Sequence, residues 1–432
     1  MIGCASQVRV EEALARLDSD AMRFVLTTRL DEEARGFAEA ADARRAARSR
    51  APYLGMPVTV KDNFDLMGHP TTAGSRLLGD APVARRDAVV VQRLRAAGFV
   101  LLGRTNMTEF AFSGLGINPH FGTPANPAYP GEWRIPGGSS SGAAVSVALG
   151  LTRVAVGTDT GGSIRIPAAL CGVTGFKPTA AAISRDGVLP LSTTLDAVGI
   201  IGESAADCRA LFDVLRDVPG KPFAVPAHRI RLGVVTNYVM EGVQPEVAGP
   251  FHAALARLAA AGVAIEPIEL PPLDCLPSLM KDATFPASEA AAWHQPYLDA
   301  GRGAEYDPKV LARIEAGNRM GAAAYARLVE GRNAFIADMA EHLNGLHGIV
   351  WPTVPALAPN ISELEDDSAY HAANALMLRN STIANLLDGC AISLPCPEAA
   401  RPVGLTIAAL AGSDDLLLGV AETCQRVLNQ KD

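Results

Sequence analysis

The stretch RIPGGSSSGAAVSVALGLTRVAVGTDTGGSIRIPAALCGVTGFKP, residues 134–178, decides the fold. It carries two Gly/Ser clusters, GGSSSG at 137–142 and TDTGGS at 158–163. Between them, residues 143–151 form an apolar, alanine-rich run that reads as a buried helix. Residues 153–157 are valine-rich and read as a strand. About nine helical residues carry the chain roughly 14 Å away, and about five extended residues return it roughly 16 Å. Ser139 and Ser163 should therefore share one edge of a sheet. In Thr160-Gly161-Gly162-Ser163 the glycines let the backbone approach a ligand closely, and consecutive N–H groups make a concave nest for an oxyanion. Ser163 either caps the next helix, expected over residues 164–170, or supplies a nucleophilic hydroxyl beside those donors.

Working outward, a serine nucleophile needs a base. The eight histidines form no recognisable pairing with either cluster. The better candidate is Lys61, in LGMPVTVKDNF at 54–64. Residues 58–60 read as a buried strand, which puts the lysine at its carboxyl end, the edge where open parallel sheets bind ligands. Burial lowers a lysine pKa and leaves neutral amine available. Read alone, Lys-Asp after a strand is a solvated turn. Two rival motifs are weaker. Gly138–Gly142 formally fits the G-x-S-x-G elbow, with Ser140 as nucleophile, yet Glu132–Pro136 makes a poor preceding strand. A phosphate loop fails for want of Gly-Lys-[Ser/Thr].

These residues carry a resemblance to the amidase signature family. GMPVTVKDNF, RTNMTEF, PGGSSSG, GTDTGGSIRIPAA and GFKPT resemble its successive blocks, in order, across about residues 50–220. A weaker echo follows in NLLDGCAISLP and PVGLTIAALAGSDDLLL. The resemblance implies that Ser163 is the nucleophile and Lys61 the base. It makes Ser139 the bridging serine, joined to Gly138 by a cis peptide bond. It assigns the oxyanion hole to the amides of Thr160, Gly161, Gly162 and Ser163, and sets Ala111, Phe112 and Ser113 beside the acyl pocket; Phe112 suits ordinary core equally well. For Arg165 a structural ion pair is expected. No metal or organic cofactor is implied.

Composition agrees with a large folded enzyme. The 432 residues are 49% hydrophobic and 19% charged, which suits a sizeable core. Net charge is −8, so no general attraction to nucleic acid or a membrane surface is expected. Seven scattered cysteines without C-x-x-C suggest reduced thiols in a cytoplasmic protein. The first 20 residues lack a basic segment followed by an apolar one, so no signal peptide is expected.

Along the rest of the chain, helices are expected over residues 8–28, 31–48, 87–97, 106–112, 204–216, 246–261 and 414–428. Strands are expected over 99–103, 198–201, 229–235, 348–355, 384–394 and 403–408, with a linker at 219–226. Residues 270–345 read as mainly helical. The expectation is one α/β domain over residues 1–432, with a mixed central sheet covered by helices on both faces. Its motif core would span about 50–220 and its variable recognition region about 225–380. The activity expected is hydrolysis of a small-molecule carboxamide by a Ser–Ser–Lys relay, with a homodimer suggested by the resemblance. The competing readings are the glutaminase subunit of the tRNA-dependent amidotransferase, where a polar residue would be expected instead of Ile166, and an inert scaffold.

Overall fold

Val154–Asp159 is buried at every position and runs through the middle of the sheet, as expected of a strand covered on both faces. A computed structural model describes residues 5–49, 51–221, 223–397 and 399–430. In chain order the strands are Leu26–Arg29 (β1), Pro57–Lys61 (β2), Val100–Thr105 (β3), Val154–Asp159 (β4), Thr174–Lys177 (β5) and Ala197–Gly202 (β6). They continue as Arg231–Val235 (β7), Ala264–Ile268 (β8), Gly348–Pro352 (β9), Cys390–Pro395 (β10) and Gly404–Ala409 (β11). All belong to one 11-stranded sheet in the order β1-β3-β2-β4-β6-β5-β10-β11-β9-β7-β8. The sheet is mixed: β2 is parallel to both β3 and β4, β4 is antiparallel to β6, and β7 is parallel to β8 and β9.

Strand alternation divides the core. Val154, Val156 and Ile200 pack against Leu94, Leu211, Phe212 and Leu417, from the helices Val89–Ala97, Ala205–Leu215 and Asp414–Leu428. Ala155 and Ile201 face the other way, onto Val10, Leu14, Val145 and Ala168. Helices therefore cover both faces of the sheet, in a single domain. Further apolar clusters lie beneath the helices Phe285–Asp299, Pro308–Asn318, Ala322–His342 and Asp367–Leu386.

Several sequence expectations need correcting. The first helix is Ala5–Leu17 and stops well short of residue 28. Leu26–Arg29, with two β-branched threonines, instead pairs antiparallel with β3. Residues 106–112 hold only the single turn Glu109–Ala111, because Phe110 and Ala111 adopt positive φ. The expected strand at 384–394 is split: residues to Leu386 finish the helix Asp367–Leu386, and the strand starts at Cys390. That helix, β5 and β8 have no counterpart in the sequence reading. Residues 1–4, Pro222 of the expected linker and the final two residues lie outside the described residues.

Candidate active site

β2 and β4 are parallel neighbours, with Thr59 opposite Ala155 and Val60 opposite Val156. Lys61, the last residue of β2, thus comes level with the carboxyl end of β4. Its side chain is fully excluded from water. The Nζ atom donates to Ser139 Oγ at 2.7 Å and to Thr158 Oγ1 at 2.8 Å. Burial is the dominant influence and pushes the lysine down to about 7, against the opposing pull of Asp196 and Asp159. Near neutral pH much of the amine is therefore unprotonated. The solvated-turn reading of Lys61-Asp62 does not hold. Asp62 is also buried, lies 3.1 Å from Arg104 Nε, and accepts from the Gly74 N–H at 3.0 Å.

The helix Ser141–Ala148 and strand β4 do return the chain to its starting edge: the Ser140 N–H donates to the Ser163 carbonyl at 3.2 Å. The peptide bond between Gly138 and Ser139 is cis. The Ser140 hydroxyl is buried and donates to the Thr158 carbonyl, so it does not present itself as an elbow nucleophile. Ser163 differs from both neighbours. It lines a cavity of about 450 Å³ together with Ala111, Phe112, Ser113, Thr160 and Gly161.

The Gly161-Gly162 turn is held from two sides. The Gly161 carbonyl accepts from Ser381 Oγ at 2.6 Å and Thr382 Oγ1 at 3.2 Å, both on the helix Asp367–Leu386. The N–H of the same peptide, that of Gly162, points the opposite way, to Asp159 Oδ1 at 2.8 Å. The Gly162 N–H is thus committed to Asp159 instead of facing the cavity, whereas Thr160, Gly161 and Ser163 all line it. Gly162 itself sits at φ +127°, where no other residue is comfortable. Asp159 also accepts from the Ile164 N–H, from Arg165 and from Asn385 Nδ2. Burial works to raise its carboxyl, yet the charge and hydrogen bond of Arg165, the Lys177 charge and the Asn385 hydrogen bond together outweigh that and hold it at about 2. Arg165 is the ion-pair partner expected from sequence, fully buried.

Asp196 supports the next residue along, accepting from Thr160 Oγ1 at 2.5 Å and from the amides of Leu191 and Ser192. Burial raises its carboxyl to about 6. Neither Asp196 nor Thr158 stands out in the sequence. Thr158 lies inside the second Gly/Ser cluster, whereas Asp196 lies beyond any local pattern. The opposite wall of the cavity falls largely within the expected recognition region, although none of its residues stands out in the sequence. It comes from the segment 238–386 and includes Tyr238, Phe285, Arg313, Met320 and Leu378. Among the described residues no three His, Cys, Asp or Glu side chains are grouped so as to hold a metal ion. No helix among them is long and apolar enough to cross a membrane.

Comparison with known proteins agrees with this architecture. The Amidase family profile matches residues 9–418. The chain is 34% identical to 2-amino-5-chloromuconic acid deaminase of Comamonas testosteroni over 388 residues, 88% of this chain and 83% of the deaminase. It is also 34% identical to a glutamyl-tRNA(Gln) amidotransferase subunit of Roseiflexus sp. (strain RS-1), covering 92% and 87% of the two chains. An amidase crystal structure superposes with a TM-score of 0.88 at 31% identity, over 98% of this chain and 95% of that one. The protein is a member of the amidase (amidase signature) family, hydrolases that act on amide C–N bonds.

Proposed function

We propose that the protein hydrolyses a carboxamide to a carboxylate plus ammonia or an amine, with Ser163 as nucleophile. The observation that carries this reading is the 2.7 Å contact between the buried Lys61 amine and the Ser139 hydroxyl, beside the cavity that Ser163 lines. In this mechanism the neutral Lys61 draws a proton through Ser139 as Ser163 Oγ attacks the amide carbonyl. The Thr160, Gly161 and Ser163 amides receive the developing oxyanion, each worth about 3–4 kcal/mol when well aimed. The relay then returns the proton to the departing nitrogen, and water repeats the attack on the acyl-enzyme. The reaction needs neither metal nor organic cofactor.

The segment 225–380, which supplies most of the far wall, would decide which amide enters. A cytoplasmic setting suits the six free cysteines among the described residues. A homodimer remains part of the proposal from resemblance alone.

The test is labelling by a fluorophosphonate serine probe, combined with ammonia release across an amide panel. Wild type should be labelled and active, and Ser163→Ala neither; an unlabelled wild type would mean an inert scaffold. A second reading, favoured by the 34% identity to the Roseiflexus amidotransferase chain, is a glutaminase that works with partner proteins. Ile166, apolar and buried, counts against it. Turnover of simple amides by the purified chain alone would exclude that reading.

A further inference from the structure

We propose that the substrate is an amide that also carries a carboxylate, and that Arg313 receives that carboxylate across the cavity from Ser163. The proposal rests on the amidohydrolase reading above and names its substrate class.

Among the described residues two cations line the cavity, Arg313 and Arg379, and no aspartate or glutamate does. Their circumstances differ. The Arg379 guanidinium is occupied: it donates to the carbonyls of Glu241 and Val239 and to Asn380 Oδ1. Arg313 has no carboxylate within ion-pair distance among the described residues and donates no hydrogen bond there. Its buried Nε lacks any partner. The guanidinium lies over the Phe112 ring, 4.5 Å from its centroid, which fixes the plane but uses none of the five donors. Burial lowers its proton affinity, opposed only by the nearby Tyr370 phenol.

A half-buried, stacked guanidinium with an unpartnered Nε is costly to keep. A planar fork of this kind matches a carboxylate in bidentate fashion. Asn374 adds to the match. Its Oδ1 accepts from Ser113 Oγ at 3.0 Å and from the Gly114 N–H at 2.8 Å, which leaves Nδ2 as the free donor on the same wall. The rest of that wall is mostly aliphatic and aromatic, suited to a short carbon chain between the two polar ends. With the chain at net charge −8, this positive site is local to the cavity.

The experiment compares kcat/KM for succinamate, glutaramate and adipamate with neutral amides of matched length, butyramide through hexanamide. Wild type should favour the acidic member of at least one pair by about 100-fold. Arg313→Leu should collapse that ratio by a similar factor, and Arg313→Lys should keep part of it, since losing one partner of a desolvated charge pair costs roughly 30-fold or more. A merely structural arginine would lower both members equally, and that result, or a wild-type preference for neutral amides, overturns the proposal. Calorimetric titration with succinate, glutarate and adipate separates the two readings. If no amide is cleaved but a dicarboxylate binds wild type and not Arg313→Leu, the reaction assignment fails and the acid site stands. If none binds in an Arg313-dependent way, the acid site fails whatever the turnover.

Discussion

The Asp159 carboxylate meets the Arg165 guanidinium at 2.9 Å with both side chains fully buried, and the same carboxylate accepts the amides of Gly162 and Ile164. The pair thus ties the end of β4 to the turn that carries Ser163. Arg165→Leu would leave Asp159 charged, buried and short of its main partner, so a stability loss of about 3–5 kcal/mol is expected. Chemical denaturation of wild type and variant measures it; equal midpoints would remove the pair from the scaffold. Because the folded carboxyl sits at about 2, below its unfolded value, its contribution is complete above about pH 4 and fades as pH falls toward 2.

Lys61 makes the opposite contribution. In the unfolded chain it holds a proton up to about pH 10.4, whereas burial in the folded chain releases it at about 7. Between those values the unfolded state binds more protons, so the lysine's penalty is full below pH 7 and disappears as pH rises through the window. Lys61→Met should therefore abolish turnover yet stabilise the fold by about 1–3 kcal/mol at pH 7. The gain should shrink toward pH 10. A variant less stable than wild type at pH 7 would show that the amine's hydrogen bonds outweigh its desolvation.

Asp196 pulls the Lys61 pKa upward, second only to burial among the influences on it. With Lys61 as base, kcat/KM should fall on the acid side below about pH 7. Removing the Asp196 charge disfavours the ammonium, so Asp196→Asn should move that limb to lower pH while also loosening Thr160. An acid limb that stays in place would point to another titrating group, and a flat wild-type profile down to pH 5 would refute the lysine base.

Gly162 offers a steric test. A Cβ there would lie 2.1 Å from Ser381 Oγ and 2.5 Å from Ser381 Cβ, on a backbone at φ +127°. Gly162→Ala should cost about 1–3 kcal/mol and lower kcat by roughly 100-fold through displacement of the nest. Ammonia-release kinetics and thermal unfolding measure the two effects; wild-type turnover in this variant would show that the turn's shape is unimportant.

What the sequence reveals follows from how local the signal is. The closing helix Asp414–Leu428 matches its expected span because its apolar residues recur at helical spacing between an acidic start and a clear end. Ser139, Ser163 and Lys61 are legible because each sits in a compact motif whose glycines and strand ends announce a turn. Lys61 and Ser139 are 78 positions apart, and only the β2–β4 pairing turns two motifs into a contact. β5 and β8 are short, and pairing with neighbours defines them more than propensity does. Leu26–Arg29 reads as the tail of a helix because no glycine or proline separates it from the preceding residues. Arg313 leaves no trace at all: on an amphipathic helix it looks like any solvated arginine until the fold brings Phe112 beneath it.

The helix Asp367–Leu386 does two things at once. Asn374 and Leu378 border the space an occupant would fill, while one turn further on Ser381 and Thr382 grip the Gly161 carbonyl. An occupant that displaces this helix would therefore tilt the very peptide that aims the nest. Ill-fitting molecules would be discriminated against in the rate of turnover more than in occupancy, so fidelity here would be written in kcat, and an inhibitor could bind well because it need not react.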